Sequence, residues 1–190
     1  MGVCCVIIRL KDETIDELVA APGKVHHFYS PDDLPPSRPV GLIGKLLGVK
    51  PQAPQLCSAT RRPGDEVDLD KSWDGIDFLL SKGRRDGGIA RLLTTGGITI
   101  REEVGYGMPQ AAHSDRVKAY ADYLASMPPE EIRGSFDPEA MIRQDVYPAA
   151  MWKGGDDSVF EDYLLPNYES LRAFIKKTAE LGEGILIVAT

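Results

Sequence analysis

The sequence is poor in several residue types, and each shortage closes off a class of protein. Only three cysteines occur in 190 residues, and two of them, Cys4 and Cys5, are adjacent. No spacing among them reads as a secreted disulfide framework, so a reducing, cytoplasmic setting is expected. Long apolar runs are missing too. Nothing approaches the roughly 18 consecutive apolar residues of a membrane span. The apolar start, Met1 to Leu10, lacks a basic flank and is too short for a secretory signal. Myristoylation at Gly2 would call for Ser or Thr where the chain has Val6. Basic residues are outnumbered, 22 to 29, giving a formal charge of −7. Arg61-Arg62 and Arg84-Arg85 are short doublets, not a stripe, so no nucleic-acid partner is expected. A protein with a basic surface would instead be steered toward this one.

Catalytic and metal-binding signatures are also absent. His26-His27 and Cys4-Cys5 are adjacent pairs, and neighbours on a strand point to opposite faces, which prevents easy chelation. No Cys-x-x-Cys or His-Glu-x-x-His occurs. A calcium loop counted from Asp68 fails, with Trp73 where Gly is needed and Leu79 where Glu is needed. A phosphate loop around Gly41 to Lys45 fails at Pro39 and Leu46. No Gly-x-Ser-x-Gly elbow is present, and Ser58, His113 and Ser114 form no recognisable triad. Neither a metal nor a cofactor is therefore expected.

What the chain does contain is an ordinary globular balance, 43% apolar and 27% charged. That length and balance fit a single domain over residues 1–190. Val3 to Leu10 is β-branched and apolar on both faces, the pattern of a central strand, and Ile185 to Ala189 repeats it. Between them the period is helical. Ile15, Leu18 and Val19 follow Asp12, read as an N-cap; Leu69, Trp73, Ile76 and Leu80 share one helix face. Ile89 to Leu93 reads as a short helix, and Ile98, Ile100 and Glu102 as a weak strand. Ser114 caps a helix carrying Val117, Tyr120, Ala121 and Leu124. Asp137-Pro138-Glu139 opens another. Leu164, Tyr168, Leu171 and Ile175 share a face of the last helical region, which Pro166 should kink and Gly182 should end. The expected fold is α+β: a small central sheet including the N- and C-terminal strands, packed by several helices. Residues 31 to 63 hold seven of the fourteen prolines and read as a long loop with one short helix, Val40 to Leu47.

Several segments carry a resemblance. Leu69-Asp70-Lys71-Ser72-Trp73, Gly105-Tyr106-Gly107, Phe136-Asp137-Pro138 and Val146-Tyr147-Pro148 follow in order, and the apolar end after Gly184 completes the set. Together they resemble the YfbM-like family, bacterial domains of unknown function, over nearly the whole chain. The resemblance implies an α+β fold and bacterial origin and brings no catalytic residues with it. Many members of that family carry His where this chain has Asp74 and Asp77, so any chemistry of those histidines would not transfer.

The remaining candidates are weighed on their own chemistry. Trp73 sits on an apolar helix face, where core packing is the default. Asp74 and Asp77 are three apart on one helix, so they can face one another and form an acid–base pair, though a solvated face is the commoner outcome. Glu102 and Glu103 are adjacent, so at most one points into a cleft. Tyr106, between two glycines, suits ligand or partner contact at a loop tip. Tyr147 precedes Pro148 and is expected to be extended, closing a core edge. The reading is a non-enzymatic protein-binding domain of regulatory or immunity type, with Trp73, Asp74, Tyr106 and Tyr147 as contact residues. The alternative is a small enzyme or metabolite binder with an acidic and tyrosine site at Asp77, Glu102 and Tyr106.

Overall fold

A computed structural model describes residues 2–30, 56–84, 86, 88–154 and 156–190. Its framework is a five-stranded, wholly antiparallel sheet of β1 (Cys5–Leu10), β2 (Glu66–Asp68), β3 (Ile98–Thr99), β4 (Gln110–Ala112) and β5 (Gly184–Ala189), in the order β2-β1-β5-β4-β3. The two apolar segments that read as central strands are β1 and β5. They pair along their whole length, from Cys5 opposite Ala189 to Leu10 opposite Gly184.

These strands are apolar on both faces because both faces are covered. Alternate side chains on a strand point to opposite sides. Cys5, Ile7, Ile185 and Ile187 enter one core with α3 (Trp73–Ser81), α4 (Ser114–Ala125) and α9 (Leu165–Glu180). Ile8, Leu10, Leu186 and Val188 enter a second with α1 (Asp12–Ala20) and α2 (Lys24–Tyr29). Each Leu or Ile buried outright contributes about 1.5–3 kcal/mol. Arg9 is the polar exception in β1, and it pairs with Asp65 and Glu183 at 2.5 and 3.0 Å.

Four short elements follow α4: α5 (Pro129–Arg133), α6 (Pro138–Arg143), α7 (Ala149–Trp152) and α8 (Asp157–Val159). The expected cap at Asp137 forms, its carboxylate accepting the Ala140 amide at 2.8 Å. Pro166 lies in the first turn of α9, directly after a π-helical turn, Phe160–Leu164. Leu164, Tyr168, Leu171 and Ile175 are all buried. Gly182, at φ 64°, ends α9: its amide donates to the Ala179 carbonyl and that of Glu183 to the Thr178 carbonyl.

Other details differ from the sequence pattern. Helix α3 begins at Trp73, not near Leu69, because Asp70 is left-handed (φ 46°) and the Ser72 amide closes a turn on Leu69. Neither Asp12 nor Ser114 is an N-cap. Asp12 is instead the acceptor for the Ser114 amide and hydroxyl, at 2.8 and 2.6 Å, joining the starts of α1 and α4. The segment around Ile89 is a single 3-10 turn, Gly88–Arg91. Of the proline-rich segment, Val40 to Leu47 lies outside the described residues. Its described end is tied down: Cys57 is buried, its amide donates to His27 Nδ1 at 3.1 Å, and the Ser58 amide donates to Glu17.

Candidate functional site

The site begins on α3. Asp77 has no exposed surface. Its Oδ2 lies 2.8 Å from Arg91 Nε and accepts the Thr94 hydroxyl at 3.0 Å. Thr94 in turn accepts from Arg91 Nε and Nη2, at 3.3 and 3.1 Å. Arg91 ends the 3-10 turn and Thr94 follows it, so one short segment supplies both partners. Oδ1 of Asp77 and the hydroxyl of Tyr120 are buried without a hydrogen-bond partner among the described residues. Desolvation dominates, and it pushes the Asp77 carboxyl up to about 7 against the pull of Arg91 and Thr94.

Asp74 lies almost one turn earlier on the same helix. Its Oδ2 accepts the Tyr147 amide at 2.8 Å, and burial raises its pKa. Asp74 and Arg91 line one cleft of about 290 Å³ with Phe78, Thr95, Gln144 and Val146. A second depression of about 420 Å³ shares Phe78 and Gln144 and adds Lys82, Glu131 and Asp137. Arg91's ion pair among the described residues is with Asp77, not Asp74. The cleft is therefore lined by a cation clamped from behind and a carboxylate beside it, with an amide, a hydroxyl and two apolar side chains. Such a set can bind a small polar molecule, and a carboxyl with a raised pKa can exchange a proton with it.

The structure brings Trp73, Asp74 and Tyr147 together. The Trp73 and Tyr147 rings stack with centroids 5.9 Å apart. Trp73 Nε1 donates to the Val3 carbonyl at 3.1 Å, and the Tyr147 hydroxyl accepts the Val3 amide at 2.7 Å. Two of the three side chains thus clamp the start of the chain. Asp77, Glu102 and Tyr106 are not brought together. Glu102 pairs with His26 of α2 at 3.2 Å, in the layer beyond the sheet from α3. Tyr106 is 58% exposed, and its amide donates to the Ala189 carbonyl. His26 and His27 lie on a helix, not a strand, and bond to different partners.

Sequence reasoning missed Arg91, Thr94, Thr95, Gln144 and Val146. Arg91 left a signal: a lone cation inside the apolar run Ile89 to Leu93 needs either solvent or a buried acid. Cys5 is buried with its thiol pushed up to about 12, which makes it inert core. Among the described residues, no group of three or more His, Cys, Asp or Glu is placed to hold a metal. No helix among them is long and apolar enough to cross a membrane.

The fold class is α+β, an antiparallel sheet with helices on both faces and a polar cleft beside α3. Over residues 1–188 the chain matches the family described as a domain of unknown function, DUF1877, and it belongs to that family. It is similar in fold to the crystal structure of YfbM, a protein of unknown function from Escherichia coli. The TM-score is 0.60 at 15% identity, covering 98% of this chain and 99% of the other. No curated protein matches.

Proposed function

We propose that this chain binds a small polar molecule in the cleft beside α3, with Arg91 and Asp74 as its principal contacts. The observation that carries the reading is the fully buried Asp77 holding Arg91 at 2.8 Å. Burying a carboxylate costs several kcal/mol, on the order of what its ion pair returns, so a pair like this is a poor device for stability alone. It is a good device for fixing a guanidinium at the wall of a cleft, where preorganised donors bind anions without reordering. Asp77 does not line the cleft and acts through Arg91 as a positioning residue. Three free cysteines, Cys4, Cys5 and Cys57, support a cytoplasmic setting.

A thermal-shift screen of small metabolites against the purified protein tests this. A ligand at 100 times its Kd adds about 2.7 kcal/mol, which is a shift of several degrees. The expected result is a hit that Asp74→Asn, or Arg91→Gln with Asp77→Asn, weakens. A hit that both variants leave unchanged, or no hit from a broad screen, sinks the reading.

A second reading, docking of a protein with a basic surface, draws on the charge of −7 and on Tyr106 and Met108, 58% and 50% exposed. Tyr106→Ala with Met108→Ala should abolish capture of such a partner and leave the thermal-shift hits in place.

A further inference from the structure

The opposite charges of the cleft point to a ligand class, and this step rests on the small-molecule reading above. Arg91 and Asp74 line the same cleft of about 290 Å³. They form no ion pair with one another among the described residues: Arg91 is held by Asp77 and Thr94 through Nε and Nη2, and its charge offsets the desolvation of Asp74 only in part. Arg91 Nη1 has no hydrogen bond among the described residues. Asp74 accepts one backbone amide through Oδ2, and burial keeps its charge poorly compensated.

A ligand with only an anionic group would engage Arg91 and leave the Asp74 carboxylate desolvated and facing a like charge. A ligand with only an ammonium would engage Asp74 and cover Arg91 without an acceptor. Both leave one charge uncompensated in a partly desolvated cleft, which is costly. A molecule with both groups on one carbon meets both demands, while Phe78 and Val146 offer an apolar wall to the rest of it. We propose that the cleft recognises a small zwitterion of the amino-acid type, its carboxylate on Arg91 and its ammonium on Asp74.

The test is calorimetric titration of the full chain with alanine, leucine and phenylalanine, each beside its acid lacking the amine and its amine lacking the carboxylate. For leucine these are 4-methylpentanoate and 3-methylbutylamine. At least one zwitterion should bind ten or more times tighter than either of its halves. In Asp74→Asn that preference should vanish and the acid should bind as well as the zwitterion. Arg91→Gln strands a buried carboxylate and can fail to fold, so Arg91→Gln with Asp77→Asn is measured as well. That pair should lose the acid and retain weak amine binding. An acid that binds wild type as tightly as its zwitterion overturns this inference and leaves the small-molecule reading standing. If none of the nine probes binds, the zwitterion inference is overturned, while the metabolite screen decides the broader reading independently.

Discussion

Arg91 Nε sits 2.8 Å from Oδ2 of Asp77, a carboxylate with no exposed surface, while Arg91 itself is partly open to the cleft. The two partners are therefore unequal. Arg91→Ala strands a buried carboxylate, and breaking such a pair costs about 3–5 kcal/mol. Asp77→Ala strands a cation that can turn to solvent, so its cost should be smaller. Urea unfolding of both variants checks the order; equal losses would contradict the burial of Asp77.

Asp77 also predicts a pH dependence of unusual sign. Its folded pKa, about 7, lies above its ordinary 3.8. Between those values the folded state holds the extra proton, so stability falls as pH rises from about 4 to 7 and is flat above. Asp77→Asn should remove this slope. Denaturation from pH 4 to 8 should show wild type losing ground to the variant up to about pH 7 and no further. Glu17 acts in the opposite sense. Its bonds to Lys24 and Ser58 hold it down to about 2, from 4.5, so its contribution is present above pH 4.5 and fades as pH drops toward 2.

Tyr147→Phe keeps the ring on Trp73 and deletes the acceptor for the Val3 amide. A loss of about 1 kcal/mol is expected, with Trp73 fluorescence little changed. Tyr147→Ala should cost more and alter that fluorescence.

Gly105→Ala should destabilise by 1 kcal/mol or more, read from the thermal midpoint. Gly105 has φ 66°, and a Cβ there would lie 2.2 Å from the Ala189 carbonyl oxygen. Tyr106→Ala next to it removes an exposed ring and should change stability by less than about 0.5 kcal/mol. The two together separate the loop's structural residue from its exposed one.

How much was legible follows from range. β1, β5 and the buried face of α9 were readable because burial on both faces, or on one stripe, writes a pattern within ten or twenty residues. The start of α3 was misplaced because Leu69 fits the helical period while the left-handed Asp70 beside it interrupts the helix. Asp12 and Ser114 look like caps locally, yet each is claimed by the other across the fold. The cleft was half legible. Asp74 and Asp77 stood out by spacing on one helix, but nothing local tells which is buried, nor that the lone cation Arg91 pairs with Asp77, and Gln144 reaches the site from a distant segment.

The pairing of β1 with β5 has a kinetic side. β5 alone joins the β2-β1 half of the sheet to the β4-β3 half, and its partner β1 lies at the far end of the sequence. Contacts between such remote segments form only after a long loop closes, and chains dominated by them fold slowly. Helices α4 and α9 can gather first, but both cores stay open until β5 slots between β1 and β4. Arrival of that strand is the expected rate-limiting step of folding.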